Sequence, residues 1–190
     1  MSGTSLDGID AALIESDGEL VTARLGGVTI PYDTQFRDSL RACLGAREWS
    51  AEIHLAEMEL TDRHAETVSL LLKTLSVPRD AVDLIGFHGH TITHDPAFRF
   101  TWQLGAGSDL AKFTGIDVVA KFRNADVAAG GEGAPLVPAY HCALARNLPK
   151  PVVFLNLGGV ANVTWVGKGD RLLAFDTGPA NALIDDWIAE

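Results

Sequence analysis

The chain has 190 residues, 47% hydrophobic and 21% charged, the balance of a globular polypeptide able to bury a real core. Its 15 Lys and Arg against 25 Asp and Glu leave a net charge of -10, which excludes a dedicated nucleic-acid role because phosphate backbones demand clustered cations. With no basic, apolar leader and no apolar run of bilayer length, the expected place is the cytoplasm, with no membrane partner.

In chain order, residues 9–14 and 22–30 are predicted strands joined by Ser16-Asp17-Gly18-Glu19, a meander that begins abruptly, as if a first strand were missing. Residues 51–75 form an amphipathic helix with Leu55, Met58, Val68, Leu71 and Leu72 as its apolar stripe. Strands follow at 82–88, 100–104 and 118–122, with a short helix at 108–113. Such alternation predicts an α/β sheet. The glycine-rich stretch 128–135 marks a hinge, so the expected domains are 1–130 and 131–190. Beyond it a helix at 136–145, strands at 152–157, 162–166 and 172–175, and a helix from Asn181 are predicted. That last helix has no stop signal, so the second domain reads as cut short. Cys43 and Cys142, far apart and outside any Cys/His framework, are expected to be reduced, buried thiols.

Gly3-Thr4-Ser5-Leu6-Asp7-Gly8-Ile9-Asp10 combines glycines, hydroxyls and carboxylates before a strand. Backbone N–H groups freed by glycine can cradle phosphate, and Asp7 can hold hydrated Mg²⁺; the plain alternative is a β-turn. Asn156-Leu157-Gly158-Gly159 is a second turn of this type, whose alternative is a simple hairpin. Asp176 ends an apolar strand just before a helix, where a carboxylate either serves as a general base or caps the turn. Asp176-Thr177-Gly178 is also the aspartic-protease signature, but one copy would require a homodimer. His88, His90 and His94 fall on one strand face if alternation persists, lining a sugar cleft, binding zinc or standing on the surface. Arg123 and Asp126 lie beside the hinge, suited to an anionic group or to a surface ion pair.

Taken in order, Gly3 to Asp10, Gly86-Phe87-His88-Gly89-His90-Thr91-Ile92, Phe122-Arg123 with Asp126 to Gly131, Gly133-Ala134-Pro135, Asn156 to Gly159 and Phe175 to Pro179 resemble the motifs of the anhydro-N-acetylmuramic acid kinase family across essentially the whole chain. The resemblance implies an actin-like fold of the ribonuclease H, sugar kinase and Hsp70 type, with an incomplete second domain and roughly half of the family's length absent. It implies ATP and Mg²⁺ as cofactors and an amino sugar as substrate, with homodimer formation left open. By the same match Gly3, Thr4, Ser5, Leu6, Asp7, Gly8, Ile9 and Asp10 form the first phosphate loop, Asp7 near the metal. Gly158 and Gly159 belong to the second loop, His88, His90, Arg123 and Asp126 to the sugar side, and Asp176 is the base. The sequence departs from the family pattern at His90, Lys121 and Ala180, where Gln, Asp and Gly are expected. Alternative readings are a binding module without turnover and, on Asp176-Thr177-Gly178 alone, the homodimeric protease.

Overall fold

The computed structural model describes residues 1–3 and 5–189 as a mixed α/β chain. It divides into two compact units, Met1–Ile14 with Arg24–Gly133, and Glu15–Ala23 with Ala134–Glu190.

The first strands, β1 (Gly8–Ser16) and β2 (Val21–Pro31), form a two-stranded sheet. Asp17 tightens the intervening turn by accepting from Glu19 N at 2.9 Å and Leu20 N at 2.6 Å. Helix α1 (Thr34–Ala42), absent from the sequence expectation, starts where Asp33 accepts from Phe36 N at 2.9 Å and buries Phe36 and Leu40. Nine residues are shorter than the window over which helical periodicity is read, although the helix is strongly amphipathic. Helix α2 (Ala51–Leu75) has the predicted bounds, with Ser50 as its N-cap. Its buried face matches the predicted stripe at Leu71 and differs elsewhere. Ile53, Ala56, Leu60, His64, Thr67 and Leu71 point inward, whereas Leu55 is 65% and Met58 52% exposed. Thr61 and Thr67 enter this face because their hydroxyls bond back to Glu57 O and Arg63 O, both at 2.7 Å, removing the cost of a buried polar group.

After α2 come β3 (Ile85–Phe87), β4 (His90–Asp95), β5 (Phe100–Leu104), α3 (Gly107–Thr114), β6 (Val118–Ala120) and α4 (Asn124–Ala129). Strand β3 pairs in parallel with β6, and β4 antiparallel with β5 through a bulge between Thr91 and Thr93. Two predictions fail here for backbone reasons. Gly89, at φ +71°, separates β3 from β4, and the bulge shifts the register further. Consequently His88, His90 and His94 do not share one strand face. Strand β6 stops at Ala120 because Lys121 takes φ +60°, a left-handed turn that ends strand geometry. The core of this unit gathers Leu6, Ile9, Tyr32, Phe36, Leu40, Ile53, Leu60, Ile92 and Leu104.

In the second unit, α5 (Pro138–Ala145) opens with Pro138 in its first turn. An antiparallel meander follows, β7 (Val152–Leu157), β8 (Val160–Val166) and β9 (Leu172–Pro179), then α6 (Asn181–Ala189). His141 of α5 stacks on Phe154 at 4.5 Å and bonds Thr164 Oγ1 at 2.9 Å, tying that helix to the meander. Val153, Leu155, Leu173 and Phe175 are 55%, 59%, 55% and 47% exposed, and their direct pairing with Trp165 and Val163 puts them on one apolar face. Both cysteines are free, Cys43 buried and Cys142 half-buried. Among the described residues, no helix is long and apolar enough to cross a membrane.

Candidate active site

The first loop is a tight turn with a buried side and an open side. Leu6 N donates to Gly3 O at 3.1 Å, and Leu6 takes φ +57° to place its side chain in the core. A left-handed leucine costs about 1 kcal/mol or more, so core burial offsets backbone strain here. Gly8 is held to glycine because any Cβ would overlap the backbone of Ile30 and Pro31. Tyr32 N donates to Asp7 O at 2.9 Å, and Asp10 Oδ1 accepts from Thr29 Oγ1 at 2.6 Å. Leu6, Gly8 and Ile9 therefore anchor the loop, while Ser5 and Asp7 are exposed and Gly3 half-buried. Thr4 lies outside the described residues.

Beneath this turn runs a polar chain that the motifs alone did not reveal. Tyr32 O–H donates to Ser2 Oγ at 2.7 Å, and Ser2 Oγ bonds His90 Nδ1 at 2.8 Å. His90 is fully buried; burial, helped by the positive field of His88, pulls its pKa down to about 4, so it is neutral at pH 7. Burial also pushes the Tyr32 phenol up to about 12. His90 thus braces Ser2 from below instead of lining an open surface. Only the pairing of a strand-end Tyr with a buried His signals this network, and neither is distinctive in a sequence.

His88, Arg123 and Asp126 converge on the glycine-rich segment after α4. His88 Nδ1–H donates to Gly89 O at 2.9 Å, and His88 Nε2 accepts from Arg123 Nη2 at 2.9 Å and Nε at 3.2 Å. Burial first, then the Arg123 charge, lowers the His88 pKa. Arg123 Nη1 donates to Gly133 O at 2.6 Å, and Asp126 Oδ2 accepts from Gly133 N at 2.7 Å. Arg123 therefore clamps a loop instead of pairing with Asp126, and its five N–H donors leave some for a ligand. His94 turns away to Thr101 Oγ1 at 2.9 Å. Among the described residues, no group of three or more His, Cys, Asp or Glu could hold a metal ion.

In the second unit, Asp176 and the Gly158-Gly159 turn meet at one end of the meander. Asp176 sits opposite Asn162, beside a bulge between Ala161 and Asn162, and is exposed. The β7–β8 turn is tied to the β9–α6 junction by Ala180 N to Gly159 O at 3.0 Å, Asn181 N to Gly158 O at 2.8 Å and Asn181 Nδ2 to Leu157 O at 2.7 Å. Thr177 Oγ1 donates to Ala161 O at 3.2 Å. Gly178 has φ +144°, while Ala180 keeps a negative φ, so its methyl group brings no backbone strain. An exposed carboxylate beside a fixed glycine turn can take a proton from a nucleophile held next to a bound anion.

A sequence model of the family described as anhydro-N-acetylmuramic acid kinase matches residues 1–190. An anhydro-N-acetylmuramic acid kinase of Paramagnetospirillum magneticum is 54% identical over 98% of this chain and 52% of its own length. Proteins of the same name from Rhizorhabdus wittichii and Rhodospirillum rubrum are 52% and 50% identical, over 100% and 99% of this chain and 54% and 50% of their own lengths. The chain spans about half the length of the curated relatives it matches.

Proposed function

The chain belongs to the anhydro-N-acetylmuramic acid kinase family, and from that premise we propose that it carries one half of an ATP-dependent sugar kinase of the actin-like fold. The reaction is hydrolytic opening of the 1,6-anhydro ring of anhydro-N-acetylmuramic acid with phosphorylation of O6. It gives N-acetylmuramic acid 6-phosphate, a step in cytoplasmic recycling of cell-wall sugars. Residues 1–130 supply the first actin-like domain and 131–190 the start of the second.

The observation that carries this reading is the pairing of exposed Asp176 with the tethered Gly158-Gly159 turn. In the proposed reaction Asp176 takes a proton from the water that attacks C1, while O6 of the opened sugar accepts the γ-phosphoryl group. Gly158 and Gly159 present backbone to phosphate, as do Gly3 and Ser5 of the first loop. Leu6, Gly8 and Ile9 act as its anchors, and Thr4 and Asp10 keep their assignment to the same loop. Asp7 is a single exposed carboxylate, a donor set that suits a Mg²⁺ retaining most of its waters. Such an ion, when bound, would neutralise charge on the phosphates. Arg123 and His88 are assigned to polar groups of the sugar, with His90 and Asp126 as positioning residues. The partner is a small sugar, and homodimer formation is compatible with this role.

The test uses a protein of the relatives' full length. Reaction in ¹⁸O-water should label the C1 hydroxyl and leave the transferred phosphate unlabelled. Asp176→Asn should lower kcat by about 10² to 10⁴ while sugar binding survives. Label in the phosphate, or a loss of only a few-fold, would overturn the assignment. Because the 190-residue chain spans about half of its relatives, a second reading is that it binds sugar or nucleotide without turnover. Calorimetric binding with no product from this chain supports that reading, whereas robust phosphorylation refutes it.

A further inference from the structure

Inside the first unit, α2, β5 and the end of β6 enclose a cleft of about 670 Å³ that none of His88, His90, Arg123 and Asp126 lines. Part of its wall is aromatic. Trp49 is 59% exposed, and its ring meets that of Trp102 edge to face at 4.8 Å. The rest is polar. Glu57 of α2 accepts from Gly105 N at 3.1 Å, and Gln103 spends its amide N–H groups on Thr101 Oγ1 at 2.8 Å and Thr91 Oγ1 at 3.3 Å. Gln103 Oε1 is left buried and without a partner, an acceptor that calls for a donor the protein does not supply. Lys121 and Asn124 complete the lining.

Lys121 gives this cleft its charge preference. It stands where the family pattern has Asp, and it takes φ +60°. Asp tolerates that left-handed backbone, whereas lysine adopts it at a cost. Lysine here therefore works against the local backbone while it puts a positive charge where the pattern has a negative one. Its position is fixed, because the strand end before it packs on α3 so closely that a Cβ on Gly107 would come within 2.9 Å of Ala120 Cβ. Among the described residues, the exposed Lys121 ammonium makes no hydrogen bond or ion pair. A free cation, an aromatic wall and an unused acceptor together suit a ring that carries one acid group and several O–H or N–H donors.

We propose that Lys121 is a specificity-determining residue, which binds the carboxylate of an acidic sugar whose ring lies against Trp102 and whose donors reach Gln103. The cleft thereby selects N-acetylmuramic acid, with its lactyl ether carboxylate, over the same ring without that group. Glu57 on the same cleft favours a carboxylate over a phosphate, since a dianion is repelled more strongly than a monoanion. The identity of the sugar rests on the kinase reading; the site itself does not.

The test is calorimetric binding to the 190-residue chain of two probes that share one ring, N-acetylmuramic acid and N-acetylglucosamine, which lacks the lactyl carboxylate. N-acetylmuramic acid should bind at least about fivefold more tightly, and added salt should erode the difference. Lys121→Ala should remove the preference and Lys121→Asp should reverse it. Asp suits the left-handed backbone, so that variant should melt no lower than the parent and any change in binding is not a failure to fold. Trp102→Ala should weaken both probes together. Equal affinity for the two sugars, no binding of N-acetylmuramic acid, or a preference that survives Lys121→Ala overturns the proposal. Sodium phosphate that binds as tightly as N-acetylmuramic acid also overturns it, as the mark of a bare anion site. The ¹⁸O experiment tests the kinase reading separately, because this preference is read in binding alone.

Discussion

Acid should loosen the first unit through its two buried imidazoles, and His90→Gln isolates one of them. His90 and His64 are 0% and 5% exposed, and burial holds each pKa at about 4, against an ordinary 6.5. Both groups are then neutral in the fold. Between these two values the unfolded chain binds more protons, so stability rises with pH and is lost as pH falls from 6.5 toward 4. Integrating that difference from pH 7 to 4.5 gives about 2 kcal/mol for each histidine, a large fraction of a typical domain's stability. The groups around His90 do not reverse the sign. Ser2 is neutral, Tyr32 is protonated throughout, and His88 adds positive charge as it titrates. His90→Gln keeps a hydrogen-bonding group for Ser2 and cannot titrate. Urea unfolding at pH 7, 6, 5 and 4.5 should show a shallower loss for the variant, by up to about 1.4 kcal/mol per pH unit where the difference is one proton. Identical slopes for the two proteins would refute the reasoning.

Gly89→Ala should cost roughly 2–4 kcal/mol, because the position has φ +71° and a Cβ would overlap Leu104 O. Gly45→Ala, at φ +81° with open space around it, should cost only about 1 kcal/mol, and paired urea midpoints check the contrast. Arg123→Lys should speed amide exchange at Gly133, since an ammonium cannot reproduce the fork to His88 and Gly133; unchanged exchange would remove the clamp from Arg123. Leu155→Lys with Phe175→Lys should lower binding of an apolar dye and increase the monomer fraction by sedimentation.

The long helix and most strands were legible because their signals are local. Ser50 and the residues after it set α2 without help from distant parts. Its buried face was legible only in part, at Leu71, since it depends on which side the β-strands occupy, and Thr61 and Thr67 satisfy their hydroxyls within the helix. The division between β3 and β4 hinges on Gly89, whose φ is fixed by its close approach to Leu104 O, fifteen residues away in sequence. At the candidate site, glycines, carboxylates and Arg123 could be named from their spacing. That His90 lies beneath the first loop, and that Asp126 serves Gly133, are facts of tertiary contact. Composition carries no record of either.

The bare apolar face of the meander has a meaning during synthesis. In a protein of the relatives' full length in which further residues follow, a ribosome that has just extruded residues 134–189 exposes Val153, Leu155, Leu173 and Phe175 before those residues emerge. At about 5–20 residues per second, a further stretch as long as this chain takes on the order of 10–40 s to follow. For that interval the nascent protein carries a ready-made recognition surface for chaperones, so the yield of folded protein should depend on translation speed through the codons that come next.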